Sequence, residues 1–302
     1  MWDDVTDTNI IDTLNKAEDA AAWVYFIALP TSVYQADEAV SLDLAAWADA
    51  NEHMIPLTFQ DPDSTDENID TDIPTTLFDN GARRITQKYR DQATVDTSAS
   101  QAYAPFAEMA FFQRFNFDGV ATSVDPEFKA LSNVIGDDLR TSQYTALENR
   151  KLGFYTAIEL KGSQVTSRVK GSWTTSSFNE TVDDVFSLDV LKNRMQVDGF
   201  NYLSARKRGL RRPRDYAGLL QTYESVARQA YENGTLAGNV PVTDPRTGEE
   251  VILRYGFLML SEPEDVQDLT AAQISAREYP PVQMIVVLAR SARVAELNIT
   301  VE

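Results

Sequence analysis

The sequence predicts a multidomain α+β or mixed α/β chain, with mixed sheets flanked by helices and an extended C-terminal arm. Helix-period and strand-like segments alternate over roughly the first 90 residues. Two long stretches of helical periodicity occupy 181–231, and β-branched and aliphatic residues dominate after Pro280 and Pro281. A chain of 302 residues holds one large or two ordinary domains, at roughly 100–200 residues each. The boundary is expected near 95, giving an acidic α/β domain at 1–95 and a second domain at 96–302 that ends in a strand and arm at 282–302.

In chain order, Ile10, Ile11 and Leu14 make an apolar stripe that predicts a helix over 10–22. Trp23–Leu29 is aromatic and β-branched, a strand candidate stopped by Pro30. A second helix is expected over Leu42–Asn51, then a short strand over Met54–Phe59 and an acidic loop over Gln60–Ile73. A further strand is expected within Asn80–Arg90. Tyr103, Phe106, Ala107, Ala110 and Phe111 return at three- and four-residue intervals, so Ser100–Arg114 reads as one helix with Pro105 near its first turn.

A helix over Leu139–Asn149 and a strand over Leu152–Leu160 follow, with Gly162 and Gly171 marking turns. Thr181–Ala205 reads as one or two helices, with Gly199 as the possible break. Asp215 is placed as the cap of a helix running to Tyr231, with Asn233 and Gly234 as its stop. Glu249–Leu260 reads as a strand after the turn Thr243–Gly248, Ala271–Arg277 as a short helix, and Val282–Leu288 as a strand. Val294, Leu297, Ile299 and Val301 continue an extended tail, and no repeat of 20–50 residues is evident.

Composition removes whole classes of chemistry. Without cysteine there is no disulfide, thiolate nucleophile or zinc–thiolate site, and His53 alone rules out a metal site needing two imidazoles from one chain. The net charge of −19 argues against general nucleic-acid binding, which depends on neutralising phosphates. No run of about 18 apolar residues is long enough to span a bilayer, and Met1–Ile10 carries Asp3, Asp4 and Asp7 where a secretory leader has cations, so a soluble, non-secreted chain is expected.

Charge is unevenly placed. Residues 1–80 hold 18 acidic side chains against Lys16 alone, a formal −17, while the remainder balances at −2. Arg206, Lys207, Arg208, Arg211, Arg212 and Arg214 fall within nine positions with no acidic residue among them. They read as a solvated basic turn, or as a docking point for an acidic neighbour such as another copy of this chain. Contact with nucleic acid is a third reading, for which the scattered aromatics supply no stacking platform.

Catalytic constellations do not assemble in the sequence. Asp61, Asp63, Asp66, Glu67, Asp70 and Asp72 could offer oxygen ligands to a hard cation, but the loop lacks the glycine and terminal glutamate of a twelve-residue calcium loop. An ordinary solvated loop is the preferred reading, and a metal-dependent hydrolase using these carboxylates is the alternative of a different class. Asp137 with Asp138, and Asp183 with Asp184, are adjacent and do not define opposed acid and base. The isolated glycines form no phosphate-binding or dinucleotide fingerprint, and His53 reads as a helix-end or surface residue. No catalytic residue, metal or cofactor is expected.

An ordered set of stretches carries a resemblance. Phe128-Lys129-Ala130-Leu131, the run from Asn149 to Tyr155, Gly171-Ser172-Trp173 and the run from Phe186 to Arg194 are followed by the turn Thr243–Gly248 and the proline-led entry into Val282–Leu288. Over roughly 95–302 this order resembles the contractile-tail sheath proteins of tailed bacteriophages. The resemblance implies a non-enzymatic structural subunit of the virion, assembled in the bacterial host cytoplasm as stacked hexameric rings around a tail tube and contracting by interface rearrangement during genome ejection. It implies as partners other copies of the chain, the tail tube protein, the baseplate and the tail terminator, with neither membrane nor direct nucleic-acid contact. It offers Val294, Leu297, Ile299 and Val301 as an exchanged arm, and the six cations of 206–214 as an inter-subunit contact. A tail tube, baseplate or other virion structural protein is the nearer alternative. In one respect the chain departs from the family: related sheath chains carry an additional N-terminal segment, whereas this sequence opens almost directly on the acidic helix.

Overall fold

The computed structural model describes residues 10–20, 24–160 and 163–293, of which 158–160 and 163–166 are described by their backbone. The chain forms two compact units, one of 1–113 with 124–185 and the other of 114–123 with 186–302. The boundary expected near 95 falls inside the first unit, because strands on either side of it pair in one sheet.

The first unit begins with α1 (Ile10–Asp19), α2 (Glu38–Asn51) and β1 (Ile55–Phe59). Asp37 caps α2 by accepting from the amides of Ala39 and Val40. After α3 (Ile73–Asn80) comes β2 (Ile85–Tyr89), then α4 (Gln92–Thr97), α5 (Ala104–Met109), α6 (Thr141–Asn149), β3 (Leu152–Leu160) and β4 (Ser163–Lys170). The sheet runs β1-β2-β3-β4, parallel for the first three and antiparallel at the β3–β4 hairpin. Every residue of β1 and β2 is buried, as helix-covered parallel strands require. Leu44, Ala48, Leu57, Leu77, Ile85, Leu147 and Leu152 form the centre of its core.

Two expectations fail here for local reasons. Trp23 lies outside the described residues; beyond it the strand expected to Leu29 is a single bridge, Phe26 to Met54, flanked by the bonds between Ile27 and Met54 and between Met54 and Tyr25. The helix expected over Ser100–Arg114 is three short pieces: tight turns at Ala99–Tyr103 and Ala110–Arg114 enclose α5. Pro105 sits in the first turn of α5, where its missing amide cannot continue the preceding turn.

The division between units falls within α7 (Val182–Ser204), which runs through Gly199 without the anticipated break. It is followed by α8 (Pro213–Glu232), whose cap position is Arg212 and not Asp215; Pro213 opens the helix and Asp215 lies in its first turn. A β5–β6 hairpin (Val240–Thr243, Glu250–Leu253) and a β7–β8 pair (Phe257–Met259, Met284–Val286) complete the second unit, with α9 (Ala271–Ala276) between β7 and β8. The strand expected over Glu249–Leu260 is divided at Gly256, whose φ of +73° turns the chain and whose missing Cβ leaves room for the carbonyl of Ala237. Two apolar clusters hold this unit: Leu191, Val226, Ala227, Ala230 and Leu236, and Tyr216, Leu219, Leu220 and Val266.

Candidate functional site

Five of the six cations of 206–214 lie on the connection between α7 and α8 and the sixth, Arg214, in the first turn of α8, all within the second unit. They divide by what they touch. Arg206 pairs with Asp215 at 2.7 Å and lies over the ring of Tyr202 at 4.0 Å. Arg211 donates to the carbonyl of Ile274, and Tyr279 donates to the carbonyl of Leu210 at 2.8 Å, so the connection is tied to the body of the unit at two points. Lys207, Arg208, Arg212 and Arg214 are exposed, and their side chains make no hydrogen bond or ion pair with described residues. Three free cations on an anchored loop and a fourth, Arg214, in the helix turn that follows it form an electrostatic contact point whose shape is set in advance.

The final turns of α7 lead into this loop and expose Val197, Phe200 and Leu203, with Phe200 70% accessible. Three apolar side chains at successive spacings of three make an unburied stripe on one side of a helix. Leu203 also borders an open groove of about 660 Å³ in the same unit, lined by Leu188, Leu191, Met195, Leu219, Tyr223 and Met284. A surface of this kind suits a macromolecular contact. Val282–Leu288 supplies the short strand β8 and, through Leu288, a further bridge to Leu236. The arm candidates Val294, Leu297, Ile299 and Val301 lie outside the described residues.

In the first unit, three of the six carboxylates of 61–72 have structural partners: Asp61, Asp66 and Asp72. Asp61 accepts from the amide of Asp63, capping the tight turn Pro62–Thr65. Asp66 accepts from the backbone amide and side-chain amide of Asn68, and these bonds hold its carboxyl below the usual carboxylate range. Asp72 is buried, accepting from Ser64 at 2.6 Å, from Thr75 and from the guanidinium of Arg150. Arg150 also reaches the carbonyls of Ala146, Asp66 and Ile69, so one buried cation fastens the acidic loop to the end of α6. Among the described residues no group of three or more His, Asp or Glu side chains is placed to hold a metal ion. The metal-dependent hydrolase alternative drew on these carboxylates, of which Asp61, Asp66 and Asp72 serve as turn caps and an ion-pair partner.

His53 is a helix-end residue, one of the two positions expected for it, and it is buried rather than on the surface. It follows α2, stacks on Trp47 at 5.0 Å, and bonds through Nδ1 to the Val24 carbonyl and through Nε2 to Glu18. The adjacent carboxylate pairs separate in role. Asp137 is buried against Arg90 while Asp138 is exposed, and Asp184 accepts from the amide of Thr181 at the start of α7.

Sequence reasoning missed the buried charges beneath the sheet. Lys88, on the central strand β2, pairs with Glu108 at 2.8 Å and donates to the carbonyl of Gly171; Ser172 donates to the same carboxylate. Arg90 pairs with Asp137 at 2.9 Å and donates to the carbonyl of Ile135. Burial outweighs pairing for both groups: it lowers the Arg90 guanidinium and raises the Asp137 carboxyl to about 6, with Arg90 pulling the latter the other way. These pairs join strands to loops within one unit and border no sizeable cavity: the space beside Lys88, Arg90 and Glu108 is about 10 Å³. They hold the fold and are not arranged around a substrate-sized space. No described helix is long and apolar enough to cross a membrane.

No protein-family model matches the chain. No curated protein matches it. Among solved structures, it is similar in fold to a chain in the cryo-electron microscopy structure of the six-fold symmetrised anti-feeding prophage baseplate: TM-score 0.60 and 12% identity, over 100% of this chain and 74% of that one. At that identity the likeness is one of fold. The chain has a mixed α/β fold in two units, and its fold is similar to that of the matched chain.

Proposed function

We propose that the chain is a non-enzymatic structural subunit of a contractile tail, placed in its baseplate region and working as several copies around the tail axis. The observation that carries this reading is the fold likeness over the whole length to a chain of a six-fold symmetrised baseplate. The geometry agrees with it. Buried carboxylates and cations are paired within the core, and the exposed features are an apolar stripe and a cluster of free cations. Such features serve recognition between macromolecules better than catalysis. Its partners on this reading are further copies of itself and the tube, sheath and terminator components of a tail, in a virion assembled inside the bacterial host.

A narrower reading makes the chain a sheath subunit in stacked hexameric rings around the tail tube, contracting by repacking of interfaces. The order of stretches over 95–302 favours it. So do the two-stranded sheets β5–β6 and β7–β8, to which an extended segment of a neighbour could add. In that case 294–302 is the exchanged arm.

Electron microscopy of the purified full chain over a concentration series, with and without co-expressed tail components, tests both readings. Rings or a collar at a tube end support the baseplate role, and helical sleeves along a tube support the sheath role. A chain that remains monomeric and joins no tail component contradicts both.

A further inference from the structure

We infer that copies of this chain dock head to tail by charge: the free cations of the α7–α8 connection in one copy meet the acidic surface of helices α1 and α2 in the next. The inference rests on the reading above that the chain assembles with copies of itself, and it names the surfaces and polarity of that contact.

Two sets of charges have no ion-pair partner among the described residues. Lys207, Arg208, Arg212 and Arg214 are exposed and make no side-chain hydrogen bond or ion pair with described residues. On the first unit, Asp12 and Asp19 of α1 and Glu38 and Asp43 of α2 are likewise exposed, with no side-chain hydrogen bond or ion pair to described residues. Along the chain their neighbours are strongly one-signed, since Lys16 is the only cation among residues 1–80; in space Arg83 and Arg84 come up to α2, their amides donating to Asp49. Both sets have firm supports: the cationic loop is anchored through Arg211 and Tyr279, and α1 and α2 are joined by the bond from Trp47 to Asn15 at 2.8 Å.

Net charge selects how two copies can approach. With −19 each, copies repel in most orientations. At physiological ionic strength screening acts over about 8 Å, so the total charge fades with distance while charges in contact still interact. The orientation that places the free cations on this acidic surface then attracts, and one that opposes two acidic surfaces does not. Because the two surfaces differ, the contact is heterologous: a docked pair keeps one free cationic surface and one free acidic surface, and copies continue into a ring or a stack. The exposed stripe of Val197, Phe200 and Leu203 leads into the cationic loop and supplies apolar area to the same contact. Nucleic acid fits the site less well, since a polyanion would have to approach through the field of the whole chain.

Sedimentation of the full chain at about 0.15 M salt tests the inference with three variants, each checked for its fold by circular dichroism. The first reverses the cations (K207E, R208E, R212E, R214E) and the second reverses the acids (D12K, D19K, E38K, D43K). The third combines all eight changes. Docking predicts that each single set weakens self-association by about tenfold or more, and that the combination restores it. The acid reversal is decisive because it brings the net charge from −19 to −11. If general repulsion governed association, that variant would associate more strongly than the unaltered chain. Self-association that is unchanged or strengthened by either single set overturns the inference and leaves the assembly reading standing. A chain that does not self-associate, alone or with tail components, removes both, as does a cationic loop that instead retains a DNA or RNA duplex at this salt concentration.

Discussion

Asp137 is fully buried beside Arg90, accepting from its guanidinium and, at 3.2 Å, from the amide of Asp91. Burial raises its carboxyl from the ordinary value near 3.8 to about 6, so between those values the folded chain holds a proton that the unfolded chain has released. The contribution of this carboxyl to stability is therefore greatest below about pH 4 and declines as pH rises towards 6. Relative to the non-titrating variant Asp137→Asn, the unaltered chain should lose up to about 3 kcal/mol across that window. Urea unfolding of both proteins at several pH values checks this, and a difference that stays flat or changes the other way contradicts it. Arg150 is the second residue of this kind. Arg150→Ala leaves Asp72 without its buried cation and removes donors from the carbonyls of Ala146, Asp66 and Ile69. A loss of about 3–5 kcal/mol in unfolding free energy is expected. These residues were poorly legible in the sequence. Asp137 stood out only as half of an adjacent pair, and Arg90 and Arg150 not at all, because pattern reading treats a charged residue as exposed and cannot see which distant partner neutralises it. The one available signal was the position of Lys88 and Arg90 at and just beyond the end of a strand otherwise fit for burial.

Helices α7 and α8 illustrate the same limit at the scale of an element. Their existence and approximate ends were legible from periodicity over 181–231, but Gly199 was read as a break. The two helices form an antiparallel hairpin with a reciprocal contact: Tyr223 covers Gly199, and Tyr202 covers Gly218. A Cβ at either glycine would push into a tyrosine ring, so the glycine is required by the approach of the neighbouring helix and not by its own backbone. In an open helix, glycine to alanine gains about 1 kcal/mol. Here Gly218→Ala and Gly199→Ala should each lower stability by about 1–2 kcal/mol, the overpacking cost exceeding the propensity gain. Truncating the facing ring, as in Tyr202→Ala combined with Gly218→Ala, should cancel the overpacking part in a double-mutant cycle of thermal or urea unfolding. Additive effects would show that the ring does not set the requirement. Elsewhere, β3 was read with its observed bounds because a strand-like run is flanked by clear turn residues. The Ser100–Arg114 segment was misread because its apolar spacing suits one helix while Pro105 and the local turns divide it.

At the scale of the whole molecule, the sequence disclosed the mixed α/β class and the concentration of charge, but not where one unit ends. The expected division near 95 followed a change in composition, whereas the sheet draws β3 and β4 back onto β2 across more than 60 residues of intervening chain. Long-range pairing of this kind leaves no local mark. The cationic run at 206–214 was visible as composition; that four of its members are free and two are used as anchors required the fold. If the chain is, as proposed, a structural part of a contractile tail, it should be found in the particle itself. Gold-labelled antibody raised against the chain, applied to contractile particles purified from the cells that produce it, should mark a ring of sites at the baseplate end. Label distributed along the shaft would select the sheath reading instead. Particles without label, with the chain recovered only in the soluble fraction, would contradict the account.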